Sequence, residues 1–538
     1  MLVSKEVERE ATRLIRRFER SMQAARAESL RRQRRSASPL PPLETNKPEW
    51  WAVDPGFDPY RSKFRSKTIG HSIWASMEAG KYRPRPAVKL DIPKEGGGTR
   101  QLSIFQVADS AVSKAIFESV LSKNTPRLSG RAYAYRKDLS AQDAVHYVRT
   151  EWTGKSRLYI AEYDFSAYFD SIDHDYLLER IADRSLFLSP VEKQVMQAFL
   201  KNASVDINQY STAGEAEDRS VGIPQGTSVS LILANLAATK IDSRLERIGV
   251  GFVRYADDTL IWSESYEAIC KAVSILQDES ERMGVTLNRE KSEGISLLVP
   301  RDWRKDGEIR TKRSVKFLGY ELGLDHCEIS DRGYRRIQAR CNQLIYDNLL
   351  REPLSKNQNP TRLSLHDSDY ASLLAQLRRY LYGDLSEAKV LRHQRGHVPL
   401  RQFSGVMSAY PLLDDGDQLR KLDGWLLWQI HSALRRRAVL LADQNLIDPA
   451  QLPVPHGLSA KELLDTPAIQ ARGSGNTVEL RIPSVRRIAN TMRIASSIHG
   501  AGTVGTGPLT DASNPTRSEP LSTHSRFKPN SDEPVPSN

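Results

Sequence analysis

Apolar positions along the chain follow two rhythms. LYIAEYDF (158–165) and FVRYADDTLIW (252–262) are runs of aromatic and branched side chains, which predict strands, the second folded back as a hairpin. Residues 88–105, VKLDIPKEGGGTRQLSIF, predict two strands joined by a glycine-rich turn, and VKFLGYEL (315–322) predicts one more short strand. Helical spacing covers about 106–121, a segment starting near Asp175, and a segment from Ser189-Pro190 to about Asn202. It returns over 227–248, with a nearly continuous apolar face, and over about 266–283, where Gly284 stands just past the helix end. Residues 4–35 predict a charged, arginine-rich helix with a thin apolar stripe (Val7, Leu14, Ile15, Phe18) packed on the body, and SASPLPPLE (36–44) breaks it. From 331 to 448 the pattern is helical, with basic clusters at Arg335-Arg336, Arg378-Arg379 and Arg435-Arg436-Arg437. After about 470 Ser, Thr, Pro, Gly and Asn take over, and residues 500–538 are predicted disordered.

Composition narrows this picture. Lys and Arg number 78 against 66 Asp and Glu, a net charge of +12 over 538 residues, which suits a polyanionic partner, nucleic acid before membrane. Cys270, Cys327 and Cys341 are scattered and lack CxxC spacing, which argues against a disulfide framework or a zinc site and fits a reducing cytosol. No stretch approaches the roughly 18 apolar residues of a membrane span, and the N-terminal stretch lacks a signal-peptide core. The expectation is a soluble, cytoplasmic protein without membrane contact.

One pair of residues does not fit a core strand. Asp257 and Asp258 lie side by side in an apolar run, where like charges repel and desolvation favours protonating one of them. A hairpin turn relieves this, because strand alternation breaks there and polar groups can gather at the sheet end. A metal-free polar turn satisfies that pattern by itself. Asp164, however, ends a second apolar strand, and one aspartate at each of two neighbouring strand ends is the geometry of a two-metal phosphoryl-transfer site, with ions roughly 4 Å apart. Hard carboxylate oxygens suit Mg²⁺, with Mn²⁺ a substitute.

Seven ordered stretches then carry a resemblance. IPKEGGGTRQL (92–102), GRAYAYRKDLSAQDAV (130–145), Asp164 with Phe169, GIPQGTSVSLILANLA (222–237), YADD (255–258), LNREKS (287–292) and FLGY (317–320) resemble the motifs of a reverse transcriptase over about residues 85 to 325. The second is similar to the GFRPGRSAHDA segment of group II intron and retron enzymes. Ser230 is followed by Leu231 where those enzymes usually carry proline, and this form, with a long basic C-terminus, looks closer to the bacterial defence-associated (unknown-group and abortive-infection) reverse transcriptases.

The resemblance implies an α/β right-hand polymerase fold, with fingers and an antiparallel palm sheet over 85–325 and a helical thumb or C-terminal domain over 326–450. Residues 1–84 would be a basic helical extension, and 451–538 a linker and largely disordered tail. It implies that Asp164 and Asp257 bind two Mg²⁺ ions with the Phe165 backbone carbonyl, that Asp258 supports them, and that Lys291 protonates the departing pyrophosphate. Lys94 and Arg100 would reach the incoming dNTP's triphosphate, Phe169 would exclude a 2′-hydroxyl, and Gln225 and Gly226 would contact the sugar. Phe317, Leu318, Gly319 and Tyr320 would form the primer grip. KLDGWLLWQIHSALRRR (421–437) is similar to an intron maturase thumb helix; Leu422, Trp425, Leu426 and Ile430 equally fit a core-facing helix, with the arginines on a template backbone.

The implied activity is RNA-directed DNA polymerisation in antiviral defence, on an RNA template that could be a dedicated non-coding RNA, with a homo-oligomer or partner protein compatible. Untemplated or protein-primed DNA synthesis, an intron- or retron-type retroelement role, and an RNA-binding protein with a vestigial site are the alternatives. The residues do not distinguish templated from untemplated synthesis, whereas the intact Asp164, Asp257 and Asp258 set argues against a vestigial site.

Overall fold

A computed structural model describes residues 3–93, 98–210, 217–288, 294–304, 309–398, 400, 402–448, 451–471, 477–500, 502 and 504. Its centre is a five-stranded sheet built from β3 (Leu158–Tyr163), β5 (Gly251–Tyr255), β6 (Asp258–Ser263), β7 (Gly294–Leu298) and β8 (Thr311–Lys312). The order is β5-β6-β3-β7-β8, antiparallel except for the short β7–β8 pair.

This sheet is covered on both faces, and the alternation along each strand says by what. Leu158, Ile160, Val253, Leu260 and Trp262 enter one core with the C-terminal helices, whereas Ala161, Phe252 and Ile261 enter a second core with helices Val107–Asn124, Ser228–Arg247 and Tyr266–Arg282. Two-sided burial explains why these strands read as continuous apolar runs rather than as apolar-polar alternation. The helix Ser228–Arg247 has apolar residues nearly all round for the same reason.

The fingers are a smaller sheet. β1 (Ala87–Pro93) pairs antiparallel with β2 (Thr99–Ile104) and parallel with the two-residue β4 (Ser204–Val205). The helix from Ser189-Pro190 forms as expected: Ser189 and Glu192 close a capping box, and proline takes the first turn.

The mixed α/β architecture with a helical C-terminal part is the one expected, and several details differ. VKFLGYEL is not one strand. It is two, β9 (Val315–Phe317) and β10 (Tyr320–Leu322), turned back at Leu318 and Gly319. Both turn residues have positive φ (48° and 83°), as a tight two-residue hairpin demands, and Leu318 hides the turn because leucine seldom adopts that backbone. β11 (Cys327–Ile329) completes this sheet beside β10, so the expected boundary at 325/326 cuts through it.

The stretch after 450 is also not a linker as far as residue 500. It holds a hairpin, β12 (Ala468–Ala471) and β13 (Thr477–Leu480), and a helix Val485–His499 whose Val485, Ile488, Ala489, Met492 and Ala495 enter the C-terminal core. Composition misled here because the apolar residues are few but fall on one helical face. Beyond residue 500 the predicted disorder falls, apart from 502 and 504, outside the described residues.

The N-terminal helix Val3–Arg35 packs as expected through Val7, Ile15 and Phe18, lying against helices Pro59–Phe64, Ser66–Glu78 and Val107–Asn124. Its last residue, Arg35, is buried and donates to Asn348 of the C-terminal domain at 3.2 Å. All three cysteines are unpaired, and no helix among the described residues is long and apolar enough to cross a membrane.

Candidate active site

The sheet register assembles the carboxylates. Tyr163 of β3 pairs with Thr259 of β6, so the next residues outward, Asp164 and Asp258, face one another across the sheet end. Glu162 lies two residues back from Asp164, on the same face. These three line a cavity of about 330 Å³ together with Leu260, Val315, Lys316 and Phe317. Glu162 also forms an ion pair with Lys312.

Asp257 sits in the two-residue turn between Tyr255 and Asp258, after Ala256 at φ +62°. A non-glycine residue in that region costs on the order of 1–3 kcal/mol and persists only where its surroundings fix it. The field of Asp257 reaches Asp258 on one side and the phenol of Tyr135 on the other. The turn therefore divides the pair. Asp258 shares the cavity of Asp164, whereas Asp257 also faces the electrostatic reach of Tyr135.

The electrostatics follow. Asp258 keeps open surface in the cleft, but it lies on a concave protein floor. Desolvation there, then Asp257, Asp164 and Glu162, push its carboxyl up to about 7. Hard oxygens crowded until one gains a proton are the donor chemistry of an oxygen-preferring divalent cation. No three acidic, histidine or cysteine side chains among the described residues form a ready metal cage.

On the fingers side a relay joins three segments. Arg100 Nε donates to Gln225 Oε1 at 2.6 Å, and Gln225 Nε2 donates to Asp170 at 3.1 and 3.2 Å. Gln225 is buried, so its amide is committed to protein partners in this state. At Gly226, φ is +125° and a Cβ would lie 2.4 Å from the Ser103 carbonyl oxygen, so glycine is what lets β2 approach here. Ser103 N–H in turn donates to the Gln225 carbonyl.

Phe169 lies in the one-turn helix Tyr168–Ser171, 5% exposed and edge-on to Tyr168. Its carbonyl accepts from Ile223 N–H, which ties it to the segment carrying Gln225. Phe165 is buried nearby and bridges to Leu287. Of the FLGY residues, Phe317 floors the cavity and Tyr320 is buried with its hydroxyl on the Ala409 carbonyl, leaving the Leu318–Gly319 turn at the surface. Lys94 and Lys291 lie outside the described residues.

Arg437, expected on a template backbone, is wholly buried. It bonds Asp367 and Asp369 and sits among Gln358 and the Leu349 carbonyl. Its helical position is core-facing, in step with Ile430 and Leu434.

Sequence reasoning missed Glu162, Tyr135 and Asp170. Glu162 was within reach, since a strand places i and i+2 on one face. Tyr135 and Asp170 carry no local signal, because their partners lie far along the chain.

Residues 92–322 match the family model described as reverse transcriptase (RNA-dependent DNA polymerase). Protein YkfC of Escherichia coli K12 is 29% identical over 199 residues, 35% of this chain and 48% of that protein. The COX1/OXI3 intron 1 protein of Saccharomyces cerevisiae is 28% identical over 177 residues, 32% and 19% of the two chains. The chain thus spans less than half the length of these curated relatives. A retrovirus-related Pol polyprotein from the type-1 retrotransposable element R2 of Nasonia vitripennis is 23% identical over 200 residues, 34% of this chain and 19% of that one. Among solved structures, an apo telomerase from Candida tropicalis aligns at a TM-score of 0.35 and 16% identity, over 48% of this chain and 60% of that one.

Proposed function

With residues 92–322 a reverse transcriptase domain, we propose that this chain is an RNA-directed DNA polymerase whose centre is the Asp164, Asp257 and Asp258 cluster at the end of the palm sheet. The observation that supports this most is the raised carboxyl of Asp258. It marks negative charge gathered in an open cleft, where Asp257, Asp164 and Glu162 all act on Asp258.

Mg²⁺ bound there would polarise the nucleotide's phosphates and lower the pKa of the primer 3′-hydroxyl. Asp164 and Asp257 would hold it with the Phe165 carbonyl, and Asp258 would support them. Arg100 would leave its bond to Gln225 for the triphosphate, where its fork suits phosphate oxygens, assisted by Lys94. Lys291 would donate the proton that pyrophosphate needs on departure. Phe169, held by Tyr168 and Ile223, would close the space a 2′-hydroxyl needs, and the Leu318–Gly319 turn with Phe317 would seat the primer end. The division into extension (1–84), fingers and palm, and thumb remains part of this reading, with the thumb continuing to residue 500.

The biological setting has two supports. The motif-B segment with Leu231 favours antiviral defence, whereas the intron and retrotransposon relatives favour a retroelement. RNA recovered with the protein from cells separates them: a dedicated non-coding RNA supports the first, intron sequence the second. The activity itself is tested by incubating the purified chain with primer, RNA template and dNTPs. Metal-dependent, template-directed extension is expected, lost in Asp257→Asn. Product formed equally after nuclease removal of all RNA would instead establish untemplated or protein-primed synthesis, and full biological function in Asp257→Ala would leave only an RNA-binding role.

A further inference from the structure

Behind the hairpin turn lies an ion pair that the catalytic reading does not use. Arg254, two residues before Ala256, is 2% exposed in the middle of an apolar strand. Its guanidinium grips Asp242 with both arms, Nε to Oδ1 at 2.8 Å and Nη2 to Oδ2 at 2.6 Å. The remaining nitrogen, Nη1, donates to Asn235 Oδ1 at 3.2 Å and to the Ala256 carbonyl oxygen at 3.1 Å. Asn235 and Asp242, seven residues apart, lie on one face of the helix Ser228–Arg247.

The network reaches a second strained position. Asn235 Nδ2 donates to the Ala134 carbonyl at 2.9 Å, and the next residue, Tyr135, has φ +61°. Arg254 N–H and C=O also pair with Arg131 and Tyr133, so the strand beneath the turn is laced to the 131–135 segment. Two non-glycine residues in left-handed backbone thus each follow or carry a carbonyl held by this cluster.

A buried ion pair is a poor source of stability, because desolvation offsets much of its attraction. It is a good source of direction. A planar fork anchored on a carboxylate fixes where its remaining nitrogen points, and here Nη1 is directed at Asn235 and at the peptide joining Ala256 to Asp257. We propose that Arg254, clamped by Asp242 and Asn235, is the positioning residue that sets the Ala256–Asp257 peptide and so the direction in which Asp257 offers its carboxylate to a divalent cation. The inference rests on the polymerase reading above and adds the device that orients one of its ligands.

Arg254→Lys in the full chain keeps the charge and removes the fork. The direct readout is Mn²⁺ binding followed by electron paramagnetic resonance without nucleotide or nucleic acid, alongside the Mg²⁺ dependence of primer extension per folded molecule. Loss of a group that orients a metal ligand predicts an Mn²⁺ affinity about 10–100-fold weaker, with the half-saturating Mg²⁺ rising in step. The dNTP KM at saturating metal should not follow. Asp242→Asn, nearly isosteric, should shift the same curves less, and it carries the test if Arg254→Lys does not fold. Folded variants that bind Mn²⁺ as the parent does, or that lose activity only in proportion to their folded fraction, would overturn the proposal. A parent chain that neither binds Mn²⁺ nor extends a primer would overturn the polymerase reading instead.

Discussion

Two clusters of aspartates in this molecule have opposite fates. At the end of the palm sheet, Asp164, Asp257 and Asp258 crowd beside Glu162, and Asp258 is driven up to about 7 by desolvation and by its acidic neighbours. In the C-terminal domain, Asp367 and Asp369 are fully buried, which is the harsher environment for a charge. Yet Asp367 is held well below the ordinary carboxylate range, because Arg437 and His456 outweigh its desolvation. Arg437 bonds both aspartates, His456 Nε2 lies 2.8 Å from Asp367 Oδ2, and Gln358 bonds Asp369 at 2.9 Å. Depth in the protein does not separate the two. Arg437, His456 and Gln358 surround the buried aspartates at one site, whereas burial and acidic neighbours dominate the surroundings of Asp258 at the other, which is the contrast between a structural charge cluster and a candidate ligand site.

That contrast can be broken by substitution. Asp164→Asn or Asp257→Asn removes a metal ligand worth several kcal/mol in the transition state, so primer extension should fall on the order of 10³-fold. The thermal midpoint without metal should hold or rise, because a repelling charge has gone. Comparing Asp257→Asn with Asp258→Asn sharpens the assignment within the pair. The family resemblance predicts that Asp257 matters more, whereas the shared cavity of Asp164 and Asp258 would favour the reverse.

The C-terminal cluster should behave the other way. Asp367→Asn leaves Arg437 short of one counter-charge, a loss of about 3–5 kcal/mol in chemical denaturation, while extension per folded molecule at permissive temperature stays at the parent level. His456→Ala, which removes one hydrogen-bond partner, should lose about 1–3 kcal/mol.

The smallest effect is one of pH. A folded carboxyl raised above its unfolded value binds its proton more tightly in the native state, so the native state loses stability as pH rises from about 4 to about 7. Asp258→Asn should therefore melt higher than the parent above pH 7 in metal-free buffer, with the gap closing toward pH 4. Saturating Mg²⁺ should raise the parent's midpoint and shrink the gap. Asp367 has the opposite sign: its contribution stands at neutral pH and fades only as acid overtakes the ordinary carboxylate range. A gap for Asp258→Asn that is flat across pH would erase the contrast.

Much of the site was legible because its chemistry is local. Asp164, Asp257 and Asp258 announce themselves as charge in apolar strands, and the strand pattern alone predicts the hairpin that delivers two of them. What stayed hidden depends on long-range partners. Arg437 read as a template contact because RRR is basic, and only the fold brings Asp367 and Asp369 to it. At Gly226 the sequence does not show the close approach of the Ser103 carbonyl, which by itself requires glycine. The turn in VKFLGYEL was masked by a leucine in a glycine-like backbone, and the helix Val485–His499 by the polar composition around it. Arg254 carried a usable hint: a buried arginine in an apolar strand implies an acid behind it.

The N-terminal helix adds a matter of timing. Its last residue, Arg35, finds its partner in Asn348, 313 residues further along the chain. At about 5–20 residues per second, a ribosome needs roughly 15–60 s to make that distance. For that interval the early turns of the helix have their partner helices between residues 59 and 124 within reach, while its far end waits for residues not yet polymerised. A segment made near the start of synthesis is thus completed only after residue 348 has been made. Nascent chains stalled before residue 348 should leave Arg35 open to proteases that cannot reach it in the finished protein.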